Sequence, residues 1–119
     1  MEVLAGVAVA AVAFLHIVFL VMEMFLWTKP VGLRSFRLDA ERARITATLA
    51  ANQGLYNGFL AAGLIWSFIA TDQRWPIRLF FLSCVIIAGL FGAVTVGRPI
   101  LWVQALPGVV ALILAYLAR

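Results

Sequence analysis

Ala50-Ala-Asn-Gln-Gly-Leu-Tyr-Asn-Gly-Phe-Leu-Ala-Ala-Gly-Leu-Ile-Trp66 is apolar at both ends, yet it gathers Asn52, Gln53, Tyr56 and Asn57 within six residues. Gly54 and Gly58 sit among them in a G-x-x-x-G spacing. On a helix turning about 100° per residue, with Asn52 at zero, Tyr56 falls near ~40°, Gln53 near ~100° and Asn57 near ~140°. Gly54 and Gly58 follow at ~200° and ~240°, beside that polar arc. Leu55, Phe59 and Trp66 occupy the remaining face. Three carboxamides have no place against lipid, because an unpaired amide in hydrocarbon costs several kcal/mol. The stretch therefore reads as a membrane helix that turns a polar face toward protein or water.

The rest of the chain agrees with a bilayer as solvent. Of 119 residues, 66% are hydrophobic and 12% charged, where a soluble domain is nearer half apolar with about twice the charge. Mean hydropathy is +1.10. The net charge of +4 does not point to nucleic acid, because the basic residues lie between apolar runs, as the positive-inside rule places them. The single Cys84 allows neither an intrachain disulfide nor a thiolate cluster. Met1-Glu2 lacks a basic leader segment, and the apolar run that follows exceeds a signal-peptide core, so it reads as a retained span.

Four spans are expected, at about 3–27, 45–70, 79–97 and 100–118, forming one all-α antiparallel bundle in a single membrane domain without a soluble part. The first holds His16 and Glu23, seven residues apart and so on one face. The basic connection 28–44 is broken by Lys29-Pro30 and Gly32. It mixes apolar and basic residues as an interfacial segment does. Asp39 is a good N-cap, so the second helix is expected to run from about Ala40 to Ala70. Thr71–Arg78 reads as a short polar turn and Arg98-Pro99 as a tight one. Gly89 with Ala93, and Ala88 with Gly92, are small-residue pairs for packing. Pro107 is expected to kink the last span.

Glu23, Asn52, Gln53, Tyr56, Asn57, Thr95 and Gln104 all fall in the half of the bilayer nearer the first and third connections, and Arg98 lies at that same end. Glu23, Asn52, Gln53, Tyr56, Asn57, Gln104, His16 and Arg98 are the candidate binding residues. Each also has a plainer role. A glutamate at a span end can reach the interface or pair with Arg98, Arg34 or Arg37. Intramembrane amides join helices at roughly 0.6 kcal/mol apiece. A lone histidine is more often packed than ligating, and with no second His it makes no metal or haem site. No Ser-His-Asp order, phosphate loop, H-E-x-x-H or aspartate pair is present, so the reading leans away from an enzyme, and neither metal nor cofactor is expected.

Glu23-Met24-Phe25-Leu26-Trp27 and Ala51-Asn52-Gln53-Gly54-Leu55-Tyr56-Asn57-Gly58-Phe59 resemble the signature stretches of a family of small bacterial integral membrane proteins, domain of unknown function 1304. Ala88–Gln104 is similar as well. The resemblance covers nearly the whole chain. It implies a stand-alone four-span protein and brings no activity, cofactor or catalytic assignment. Small multidrug transporters are similar in length, span number and a first-helix glutamate, and proteins of the DoxX type only in outline.

Three functions follow as expectations. The first is binding or movement of a small solute, ion or proton through a polar pocket around Glu23. The second is a non-enzymatic membrane subunit, with a homodimer or another membrane protein as partner and anionic lipid at the basic loop. The third is a small enzyme acting on a lipid-like substrate. Lys29, Arg34, Arg37, Arg42, Arg44 and Arg98 lie on one side of the bilayer and Arg74, Arg78 and Arg119 on the other. That bias puts the first connection in the cytoplasm and both termini outside the inner (plasma) membrane. A topology reporter fused to the C-terminus is expected to be active only outside the cytoplasm; activity confined to the cytoplasm would reverse the assignment.

Overall fold

The computed structural model describes residues 1–119 as an all-helical chain of five α-helices. The first, α1, runs Glu2–Met24 and ends where the amides of Phe25 and Leu26 share the carbonyl of Val21, at 3.0 and 3.2 Å. The basic connection is not a plain loop. Pro30 opens a short helix, α2 (Pro30–Phe36), at a position where its missing N–H is not needed. Gly32, expected to be a breaker, lies buried inside α2, because a Cβ there would overlap the carbonyl oxygen of Leu26. Arg37 closes α2 in the left-handed region, at φ 53°, and donates its N–H to the Leu33 carbonyl.

Asp39 then caps α3 (Ala40–Ile69): its Oδ1 accepts the Arg42 N–H at 2.7 Å. An Arg44–Glu41 pair at 2.6 Å lies exposed on the first turns. After a 3₁₀ turn at Thr71–Gln73, α4 runs Arg74–Thr95, so Arg74, Trp75, Pro76 and Arg78 belong to its first turns and not to a loop. Pro76 is tolerated there because the first helical amides have no partner within the helix. The last segment opens with a π-helical stretch, Leu101–Ala105, and continues as α5, Leu106–Leu117. Where a simple kink was expected at Pro107, a widened turn lies just ahead of it, and the Leu106 N–H reaches back to the Leu101 carbonyl.

Two helices are long and apolar enough to cross a membrane, Glu2–Met24 and the Thr71–Thr95 segment; Leu101–Leu117 is a shorter apolar helix. Two of the four expected spans are thus matched by length and hydropathy. The difference has a physical cause in α3, which is 30 residues long but whose Asn52, Gln53 and Asn57 lower its mean hydropathy.

By packing, the chain divides into two compact units, Leu15–Phe59 and Met1–Phe14 with Leu60–Arg119. In the second of these, four helices contribute to one core: Val9, Val12 and Ala13 from α1, Leu64 from α3, Leu82 and Val85 from α4, and Ala111 and Ala115 from α5. The order of contacts makes α4 and α5 antiparallel, since Trp75 meets Tyr116, Val85 and Ile86 meet Gly108, Gly89 meets Ala105 and Gly92 meets Ile100. Likewise Ser67 and Gly63 of α3 meet Arg78 and Phe81 of α4. Small residues set these distances: a Cβ on Gly63 would lie inside the Phe81 ring, and one on Gly89 would come within 2.7 Å of the Ala105 backbone nitrogen.

The unit Leu15–Phe59 is a helical hairpin of α1 and α3 with α2 folded against its turn. Trp27 stacks on Phe36 with centroids 4.6 Å apart and donates its Nε1–H to Thr46 Oγ1 at 3.0 Å. Gly89→Val is expected to destabilise the protein by about 1–3 kcal/mol, because the obstacle is backbone. Gly97→Ala, whose Cβ would meet only Pro99 at 3.5 Å, should stay within about 0.5 kcal/mol of wild type. Thermal unfolding of both variants in one detergent is the check, and equal midpoints would refute the packing account.

Candidate functional site

The Glu23 carboxylate is built into the hairpin by a glycine step. Gly54 and Gly58 are one turn apart on α3 and face the last turns of α1. A Cβ on Gly54 would stand 2.7 Å from Met24 Cγ, 3.1 Å from Glu23 Cβ and 3.2 Å from the Leu20 carbonyl oxygen; one on Gly58 would stand 2.6 Å from Leu20 Cδ1. With no side chain at either position, α3 approaches α1 closely enough for the residue between them to reach across. That residue is Asn57, whose Nδ2 donates to Glu23 Oε1 at 2.5 Å. Glu23 is 4% exposed and Asn57 9%. The Gln53 carboxamide also hydrogen-bonds the Glu23 side chain.

The polar arc is therefore divided. Only Asn57, which adjoins the glycine face, is buried, while Asn52, Gln53 and Tyr56 are exposed. The Tyr56 ring packs edge-on against Phe59 with centroids 5.9 Å apart. His16 lies two turns before Glu23 on α1. It is fully buried, with Phe19 edge-on at 5.4 Å. Gln104 and Arg98 belong to the other unit: Gln104 is half-buried in the π-helical stretch, and Arg98 is exposed in the turn before it. Thr95, placed at the same depth by sequence, turns its hydroxyl back on its own helix and donates to the Phe91 carbonyl at 2.8 Å.

Chemically, the Glu23 pair is a carboxyl group held by neutral amide donors inside an apolar helix. Such a group can exchange a proton or accept a hydrogen-bond donor from a solute. No group of three or more His, Cys, Asp or Glu side chains gathers to hold a metal ion.

A second polar cluster escaped the sequence reading. Arg78 is 2% exposed and is the largest fully buried side chain. Its Nη1 pairs with Glu2 at 3.0 Å, and its Nε donates to Ser67 Oγ at 3.3 Å. Ser67 in turn donates to the Leu64 carbonyl at 2.6 Å. Arg74 reaches the same Glu2 carboxylate at 3.2 Å. The sequence alone places Arg74 and Arg78 in a short polar turn. The available signal was their four-residue spacing directly before an apolar run, which puts both guanidinium groups on one helix face.

The family model described as "Protein of unknown function (DUF1304)" matches residues 10–116. The uncharacterized protein YpaA of Lactococcus lactis subsp. lactis (strain IL1403) is 29% identical over 108 residues, covering 89% of each chain. No solved structure matches. The matched residues include the whole α1–α3 hairpin, with Glu23, Gly54, Asn57 and Gly58. The chain thus belongs to the DUF1304 family, whose function is unknown.

Proposed function

We propose that this chain is a four-span protein of the plasma membrane that binds or moves a small solute or ion, with proton exchange at Glu23. The observation that carries the reading is a carboxyl side chain buried within a helix long and apolar enough to cross a membrane and hydrogen-bonded by Asn57. Ionisable groups at such positions face interiors or cavities and mark ion and proton paths. Two facts support spans at α3 and at the last segment. No charged residue occurs between Arg44 and Asp72, nor between Arg98 and Arg119, and about 20 residues suffice to cross the hydrocarbon.

The exposed edge of the α3 arc favours a second reading, a membrane subunit. In a bilayer Asn52 and Tyr56 need protein or water against them, and a second copy or another membrane protein would supply it. The two readings separate on Glu23. In the first, the group must change its protonation; in the second, it need only hold Asn57.

Glu23→Gln keeps an oxygen that accepts the Asn57 donor but cannot release a proton. In proteoliposomes carrying an internal pH dye, the wild-type chain is expected to dissipate an imposed pH gradient at least about tenfold faster than Glu23→Gln, the effect expected when the proton-carrying group itself is removed. Equal rates would sink the proton-exchange reading. The subunit reading instead expects Asn52→Leu with Tyr56→Phe to shift the oligomer measured by light scattering, and an unaltered mass would refute it. Asn57→Leu strands a buried carboxyl in either case, with a loss of about 1–3 kcal/mol in stability, to be read from thermal unfolding.

A further inference from the structure

A pocket of about 220 Å³ opens in the unit Met1–Phe14 with Leu60–Arg119, and Glu2, Asp72, Arg74, Trp75, Arg78 and Arg119 are among the residues that line it. These residues come from the start of α1, the start of α4 and the end of α5. The pocket thus lies where apolar helices end, and in the membrane reading that is the level of lipid headgroups.

Its charge is not balanced. Arg74, Arg78 and Arg119 face it against Glu2 and Asp72. The Glu2 carboxylate is shared by two guanidinium groups. Arg119 lies over the Tyr116 ring, 3.7 Å from its centroid, with Trp75 at 5.7 Å. Among the hydrogen-bond donors, Arg78 spends Nε on Ser67 and Nη1 on Glu2, while its Nη2 is buried with no hydrogen-bond partner. The Arg74 Nε is buried and unpartnered as well. A guanidinium stays charged at any ordinary pH and offers five N–H donors in a planar fork that matches oxyanions. A buried donor without a partner is costly. Three guanidinium groups against two side-chain carboxylates, around one cavity, point to one class of ligand.

We propose that this pocket binds a phosphate group, with Arg74 and Arg119 as its donors and the buried Arg78 adding positive charge behind them. The volume fits a group and not a whole molecule, since small-molecule sites run to about 300–1,000 Å³. Phosphate suits the site better than a carboxylate, because its several oxygens can meet the partly exposed Arg74 and the exposed Arg119 together while Glu2 keeps its own pairs. Glu2 competes with the ligand by charge. The phosphate has two sources, an anionic lipid headgroup or a free phosphate or phosphate ester, and both meet the same donors. The assignment is independent of the Glu23 site, which lies in the other unit.

The full chain, purified in a neutral detergent, is titrated with inorganic phosphate against chloride at matched ionic strength. In parallel it is reconstituted in nanodiscs of phosphatidylcholine with or without phosphatidylglycerol, and native mass spectrometry reads the retained lipid. A free-phosphate site shows saturable phosphate binding in detergent. A headgroup site shows retained phosphatidylglycerol in preference to phosphatidylcholine, with no response to phosphate. In either arm Arg74→Gln, at a partly exposed position, is expected to weaken binding roughly tenfold, as for the loss of one charge-assisted hydrogen bond. Glu2→Gln is expected to strengthen it several-fold, a gain that a purely structural Glu2–Arg pairing would not produce. Absence of both phosphate binding and lipid preference, equal binding by Arg74→Gln, or weaker binding by Glu2→Gln would overturn the proposal.

Discussion

A polar side chain withdrawn from water must find a partner, and in this chain that requirement decides which helix faces meet. Five polar or charged side chains are buried: His16, Glu23, Asn57, Ser67 and Arg78. Asn57 satisfies Glu23, and Ser67 and Glu2 satisfy most of Arg78. The Glu23–Asn57 pairing does not work at ordinary interhelical distance, because asparagine is short. Asparagine has only two rotatable bonds with which to reach a carboxylate. The backbones have to come close, so the residues beside Asn57 have to be small.

Glycine serves the two units differently. In the hairpin of α1 and α3, Gly54 and Gly58 bracket Asn57 and leave room for Leu20 and Met24 on either side of Glu23. Polar pair and small-residue step are there one device. In the other unit the glycines sit away from the ionised cluster: Gly63 admits the Phe81 ring, and Gly89 lets the start of the last segment approach α4 by its backbone. Shape alone is served there. In the proposed membrane setting there is no hydrophobic drive for apolar helices to associate, and such close van der Waals contact replaces it.

Helical class, the Asp39 cap, the start of α3 and the shared depth of Glu23 and the α3 carboxamides were all legible from spacing. Each depends on interactions a few residues long, or on a periodicity that any helix must obey. The division of the polar arc was not legible. The wheel puts Asn57 and Gln53 nearest the glycines, but which edge of the arc becomes buried depends on where α1 lies, and no residue of α3 states that. Arg78 was misassigned for a related reason. A charge beside a proline and a tryptophan reads as turn chemistry, and only the arrival of Glu2 and Ser67 from distant positions makes it a buried helical residue. Gly32 shows the opposite error: read as a breaker by composition, it is glycine because the Leu26 carbonyl leaves no space for a Cβ. Long-range proximity decides the first two cases, and a contact six residues back in the chain decides the third.

The two buried clusters also differ in what their chemistry leaves open. A carboxyl held by carboxamides is bound by groups that carry no charge of their own. Asn57 can donate to it when ionised, and an amide oxygen can accept from it when neutral. Both protonation states therefore keep a hydrogen-bonded arrangement, which is what a proton-exchanging group needs. Arg78 has no such freedom, since a guanidinium does not give up its proton in a protein. Its charge must be met by charge, and Glu2 alone is divided between Arg78 and Arg74. A site of the first kind responds by gaining or losing a proton, whereas a site of the second kind can respond only by taking in an anion.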